Sequence, residues 1–143
     1  MAFSAKTEYG LVALIELAAA HGSGELLQTG EICRRHGIPE RYLEQMLTAL
    51  RKGGFLLSIR GPRGGFQLAQ DPATITVAAV EACLEGDSRL ERKGRRESAE
   101  FQVLRRLSDE VETARKGVLT SLTLAVLQQE CETLRSPQPM FYI

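Results

Sequence analysis

Apolar residues recur every three to four positions along most of this chain, which is the period of an amphipathic helix. In AKTEYGLVALIELAAA (5–20), Leu11, Leu14, Ile15 and Ala18 form one stripe, with Ser4 or Thr7 available as a cap. HGSGE (21–25) interrupts it. TGEICRRH (29–36) reads as a short second helix, with Thr29 as its cap and Gly37 suited to the left-handed position past its end. Pro39 opens a third helix, PERYLEQMLTALRKGG, since a proline loses nothing in a first turn where its missing N–H has no partner. Tyr42, Leu43, Met46, Leu47 and Leu50 make its apolar face; Arg41, Glu44, Gln45, Thr48, Arg51 and Lys52 lie off it. Gly53 and Gly54 end it.

Only Gly37, Ile38 and Pro39 separate the second and third helices. A short helix, a tight glycine-containing turn and a longer amphipathic helix match the helix-turn-helix unit, although an ordinary helical hairpin has the same outline. The next segment bears on that choice. FLLSIR (55–60) and FQLAQ (66–70) are strand-like and flank GPRGG (61–65), which predicts a hairpin. Directly after a helix-turn-helix, such a hairpin is the wing of a winged helix; the bland reading is a surface turn. The tip chemistry suits a phosphate backbone. Gly64 and Gly65 remove Cβ atoms and permit close approach. Pro62 restricts the loop before docking. Arg60 and Arg63 supply two cations.

Beyond Asp71-Pro72 a fourth helix is expected over 76–85, spaced by Val77, Val80 and Leu84 and ended by Gly86. DSRLERKGRRES (87–98) holds five basic and three acidic residues and reads as a charged linker; a second phosphate contact or an effector-responsive loop are the alternatives. From 99 to 131, Phe101, Leu104, Leu107, Val111, Ala114, Val118, Leu122 and Ala125 step by three or four. The run predicts one helix of up to about 30 residues, roughly 45 Å long, with a bend invited at Gly117. That exceeds what a compact domain needs, so the stripe is expected to meet a second copy of itself. Phe101, Leu104, Leu107, Val111, Val118, Leu122 and Val126 are the expected dimer contacts. Residues 132–143 form a tail ending in MFYI. The expected organisation is therefore a DNA-binding domain over 1–86, a linker over 87–98, a dimerisation helix over 99–131 and the tail.

Composition adds limits. The chain has 143 residues, with 43% apolar and 25% charged, the balance of one ordinary globular domain. No apolar run reaches the ~18 residues of a membrane span, and MAFSAKTEYG lacks the layout of a secretory signal. Three cysteines about 50 residues apart (Cys33, Cys83 and Cys131) read as reduced residues of a cytoplasmic protein. Each is expected to pack as a small apolar group, with redox sensing through Cys83 as the sharper alternative. The P-loop, nucleophile-elbow and zinc-protease patterns are absent, and the two histidines have no metal-ligand spacing, so an enzyme is not expected.

The 18 Lys+Arg and 18 Asp+Glu cancel, which at first argues against nucleic acid. Distribution changes this. Residues 1–72 hold 8 basic and 7 acidic groups, yet 51–70 holds Arg51, Lys52, Arg60 and Arg63 with no acid at all. Affinity follows the phosphates neutralised at the contact surface, not the molecular sum.

The run IPERYLEQMLTALRKGGFLLSIRGPRGGFQLAQDPATITVAAVEACLEG resembles the winged helix-turn-helix repressor family that includes the IscR, NsrR and CymR regulators. The resemblance rests on Tyr42-Leu43-Glu44-Gln45, Leu50-Arg51-Lys52, and Arg60-Gly61-Pro62 with Gly64-Gly65 and Leu68, and extends to KTEYGLVALIELA and LSDEVETARKGVLTSLTLAVL. It implies a mainly α fold with a two-stranded β-wing, and a homodimer, built on the long C-terminal helix, that binds a near-palindromic operator in double-stranded DNA. It places Glu44 and Gln45 toward base edges with Arg41 nearby, and Arg60 toward the minor groove. Tyr42 either packs or touches phosphate, or reads a base. Many members hold an iron–sulfur cluster on three cysteines after the fourth helix. Here 87–106 contains neither Cys nor His, so no such cluster and no other cofactor is expected. Control through an unidentified effector, or through a protein partner such as a metabolic enzyme with DNA binding secondary, is the alternative that relatives suggest.

Overall fold

The computed structural model describes residues 2–86 and 98–136. The first helix, α1 (Ala5–Ala19), starts where Ser4 accepts a hydrogen bond from the Thr7 N–H. It runs through the centre of the core, with Ala13 and Leu14 fully buried. Helix α2 (Thr29–His36) is preceded by Gln28, not capped by Thr29, and it ends on Gly37 in the left-handed region (φ +66°). Helix α3 (Glu40–Lys52) follows after a three-residue turn whose Ile38 is buried. Pro39 sits one position before the first helical residue, with extended backbone, and its carbonyl accepts the Leu43 N–H. Leu43, Leu47 and Leu50 are fully buried, so the apolar stripe read from the sequence is the face α3 turns inward. Each such side chain contributes roughly 1.5–3 kcal/mol on burial.

Strands β1 (Leu56–Ile59) and β2 (Gly65–Leu68) pair antiparallel, with Leu56 opposite Leu68 and Ile59 opposite Gly65. Phe66 also bridges to Leu27, through N–H to carbonyl bonds of 2.8 and 3.0 Å, so the segment before α2 acts as a third partner of the wing. A short 3-10 turn (Pro72–Thr74) leads to α4 (Val77–Glu85), capped by Thr76. The α1–α4 crossing is close: a Cβ on Gly10 would lie 2.4 Å from a Leu84 methyl.

The periodic run 99–131 is not one helix. It divides into α5 (Ala99–Ser121) and α6 (Leu124–Arg135). Helix α5 continues unbroken through Gly117, where a bend was expected; the break falls at Leu122 and Thr123, both extended. These two residues pair with the strand-like entry to α4: the Val77 N–H donates to the Leu122 carbonyl (2.9 Å) and the Leu124 N–H to that of Ile75 (3.0 Å). The backbone groups that a helix break would orphan are thus satisfied by another part of the chain. Thr123 then caps α6 by accepting from Val126 N–H. Helix α6 turns back onto α1 and the 3-10 turn, with Leu124 fully buried. The expected linker lies outside the described residues, except for Ser98, which caps α5. The last residues of the tail, 137–143 with MFYI, also lie outside them.

Helix α4 is tied to α1 by a part-buried polar contact. Thr7 is fully buried, and its hydroxyl donates to Glu85 Oε1 at 2.7 Å; the Ser4 hydroxyl donates to the same oxygen. The two hydroxyls, Ser4 first, hold the Glu85 carboxyl below its ordinary range. A depressed carboxylate contributes stability that is present above its unfolded-state value and lost as pH falls through the folded one. Wild type should therefore resist urea better than Glu85→Gln at about pH 7, with the gap narrowing as pH falls below the ordinary carboxylate range. A difference in urea midpoint that stays constant as pH falls would contradict this assignment.

Candidate nucleic-acid interface

The outward face of α3 carries Arg41, Glu44, Gln45, Thr48 and Lys52 along one open groove of about 680 Å³. The 3.6-residue period puts positions 41, 44, 45, 48 and 52 on the side opposite the buried Leu43, Leu47 and Leu50. Thr48 donates its hydroxyl to the Glu44 carbonyl (2.8 Å), leaving only its lone pairs to offer. Arg51 is exposed next to Lys52 at the helix end. Tyr42 is different: its ring meets Tyr9 of α1 edge-on, with centroids 5.8 Å apart and planes at 85°, so it braces α3 against α1.

On the wing, Arg60, Pro62 and Arg63 are exposed. The glycines beside them are not simply open backbone. Gly64 is buried, its N–H donates to the Gly61 carbonyl (2.9 Å), and its carbonyl accepts from Gln28 Nε2 (3.4 Å). A Cβ on Gly64 would stand 2.1 Å from the Ile59 carbonyl oxygen, and one on Gly65 would stand 2.7 Å from that of Leu27. Both glycines are therefore required by the wing's own fold. Gln28 is the residue that sequence reading overlooked; nothing in its local pattern signals that it clips α2 to the wing.

The surface that α5 presents is unusual. Phe101, Leu104, Leu107, Val111 and Val118 are all exposed, from 41% to 59%. With Ala114, Leu104, Leu107, Val111 and Val118 fall at alternating spacings of three and four, the seam pattern of paired helices. Two expected dimer residues lie elsewhere. Leu122 sits in the helix break and packs on the chain's own core, and Val126, although 43% exposed, belongs to α6. Both departures follow from the pairing of residues 122–124 with 75–77.

At the foot of α5 a cleft of about 440 Å³ opens between α4, α5 and the residues before α1. Its charged groups are largely engaged: Arg115 forms a two-pronged ion pair with Glu81, and Glu85 is held by Ser4 and Thr7. Two of the thiols, Cys33 and Cys83, are quiet. Burial, and then Glu40 and Glu44, push the Cys33 thiol up. Burial does the same for Cys83, whose sulfur lies 3.5 Å from the Ala49 carbonyl. Both are protonated, weak nucleophiles near neutral pH. Among the described residues no helix is long and apolar enough to cross a membrane.

A family model described as Rrf2, iron-dependent transcriptional regulator, matches residues 3–130. The HTH-type transcriptional regulator CymR of Bacillus subtilis (strain 168) is 37% identical over 144 residues, all of both chains. The IscR regulator of Cereibacter sphaeroides is 40% identical over 86 residues, 59% of this chain and 56% of its own. Among solved structures, that of T. potens IscR superposes with a TM-score of 0.80 at 33% identity, covering 99% of this chain and 97% of that one. The structure of CymR, described as the global cysteine regulator of B. subtilis, does so at 0.77 and 35%, covering 91% and 98%.

The iron in the family's description finds no matching donor set here. Among the described residues no three His, Cys, Asp or Glu side chains are grouped to hold a metal, and 87–97 contains neither Cys nor His. Cys33, Cys83 and Cys131 stand on α2, α4 and α6 respectively. Thiolates and imidazoles are the usual cluster ligands, so these residues do not fit the group. Fold, wing and sequence kinship agree on the rest: the chain belongs to the Rrf2 family and is a helix-turn-helix, DNA-binding transcriptional regulator.

Proposed function

We propose that the protein binds a near-palindromic duplex as a homodimer, without an iron–sulfur cluster. Helix α3 enters the major groove of each half-site, and the wing tip lies along the adjoining minor groove. The observation that carries this reading is the single open face shared by Arg41, Glu44, Gln45, Thr48 and Lys52, beside the exposed Arg60 and Arg63. Glu44 accepts from cytosine N4–H₂ and Gln45 pairs with adenine, the pairings their side-chain groups allow. Arg60 is drawn by the negative potential of a narrow minor groove. Arg51, Lys52 and Arg63 neutralise phosphates and fix register. The second copy docks on the exposed α5 stripe, because that stripe has the spacing of a helix that pairs with its like.

In vitro selection of duplexes by the full chain tests this. An inverted repeat with half-sites about one helical turn (~34 Å) or a multiple apart is expected; failure to retard any duplex at low salt would sink the reading. Glu44→Ala should relax preference at one base position, costing about 1–3 kcal/mol of discrimination, measured by competition against single-base variants of the selected site. Arg63→Ala should behave differently. It should weaken all sequences alike and reduce the slope of log K against log salt by about one, read from titrations at several salt concentrations.

A further inference from the structure

Helix α5 is exposed along most of its length. Leu119 is its one buried residue, and Glu112 and Arg115 are half-buried; every other α5 residue is exposed. Leu119 and the pairing at Leu122 lie within one turn of each other, and together they form a pivot, not a direction. The contact that gives α5 a direction lies one turn further along. The Arg115 guanidinium grips both carboxylate oxygens of Glu81 on α4. It also donates to the Ala2 carbonyl at 3.3 Å and stands 6.0 Å from the centre of the Phe3 ring. A planar fork held on two oxygens fixes orientation as well as distance, which a lysine cannot do.

Helix α4 connects this clamp to the DNA-reading body. Its two carboxylates stand one turn apart: Glu85 holds Ser4, the cap of α1, and Thr7 within α1, and Glu81 holds Arg115 of α5. The α4 face that meets α3 carries Cys83, whose thiol reaches the Ala49 carbonyl near the end of α3. A Cβ on Gly53 would come 2.6 Å from that sulfur, so α3 and α4 are closely seated there. The path from the α3 face to the α5 stripe thus runs through packed helices and reaches α5 at the Arg115–Glu81 ion pair.

We infer that the Arg115–Glu81 pair sets the angle between the DNA-reading body and α5, and so selects the half-site spacing that the dimer accepts. Arg115 is a positioning residue; it does not touch DNA. The inference rests on the dimer reading above. The lever is long: from the pivot at Leu119 to Phe101 is about 27 Å at ~1.5 Å per residue. A swing of ~10° about the pivot moves the far end of the stripe by roughly 5 Å, more than the ~3.4 Å between successive bases of a strand. Small changes at the clamp are therefore converted into a register error of about one base pair or more.

The test uses the full chain and duplexes that carry the selected half-site as an inverted repeat, with centre-to-centre spacing varied one base pair at a time. Wild type is expected to lose about tenfold or more at one base pair off its best spacing, since the mismatch must be absorbed by twisting or bending DNA. Arg115→Ala and the near-isosteric Glu81→Gln should flatten that profile to about threefold or less. Arg115→Lys should fall between, having charge without the fork. Affinity for a duplex with one half-site and the dimer mass by sedimentation should not change. A residue that only supports the fold would weaken single half-site binding and leave the spacing profile its shape; that result in both Arg115→Ala and Glu81→Gln overturns the inference. A wild-type chain that sediments as a monomer on its operator overturns the dimer reading as well, which separates the two failures.

Discussion

Aspartate at both Leu104 and Val111 should yield a folded monomer that has lost two or more orders of magnitude in operator affinity. The two side chains are 59% and 56% exposed in the single protomer, so charges there cost its own fold little. In a paired α5 seam the same positions are enclosed, and each carboxylate would be buried at a cost of several kcal/mol. Losing the partner turns one bivalent attachment into two independent ones. Linked binding modules gain about 10²–10⁴ over a single module through effective concentration alone, and that gain is what the variant forfeits. Sedimentation and gel retardation on the selected duplex measure both parts, with the thermal transition as the folding control. A double variant that stays dimeric and binds as wild type does would contradict the assignment of this stripe.

The second large effect is expected from one methyl group. Gly64→Ala would place its Cβ 2.1 Å from the Ile59 oxygen, 2.9 Å from the Gly61 oxygen and 3.0 Å from the Arg60 carbonyl carbon. All three neighbours are backbone, so no side chain can swing aside, and the hairpin tip has to rebuild. Backbone strain of this kind costs on the order of 1–3 kcal/mol. Leu56 and Leu68, which root the wing in the core, are far enough down the strands to keep the body folded. Arg60 and Arg63 lose their presentation, and operator affinity should fall about tenfold or more, equivalent to ~1.4 kcal/mol. Pro62→Ala, at the exposed tip, is the control and should change affinity less. Equal binding by Gly64→Ala and wild type would show that wing shape does not matter for DNA.

The recognition helix was readable because its signal is local. The buried side chains of Leu43, Leu47 and Leu50 and the outward Arg41, Glu44, Gln45, Thr48 and Lys52 follow from a 3.6-residue period that needs no tertiary information. The left-handed Gly37 was legible for the same reason. The division of 99–131 has a weaker local signal, although Thr123 carries the mark of a helix cap. Periodicity alone favours continuity, and the partner that makes the break affordable, residues 75–77, lies about 45 positions away in sequence. Gly64 and Gly65 show a related limit. Glycine permits close approach, but sequence does not say to what, and here the approaching groups are the carbonyls of Ile59 and Leu27.

By itself, then, the sequence determined the winged helix-turn-helix, the cationic stretch that holds no acid between 51 and 70, and the mismatch with a cysteine-ligated cluster. These rest on residue type and short-range spacing, which any conformation of the chain carries with it. Tertiary structure alone decided where the last helix breaks, that Leu27 and Gln28 brace the wing, and that Arg115 closes on Glu81 from 34 residues away. Those depend on which backbone groups and charges meet when distant segments pack, and a hydrogen bond or ion pair between such segments leaves no periodic trace in the residues that make it.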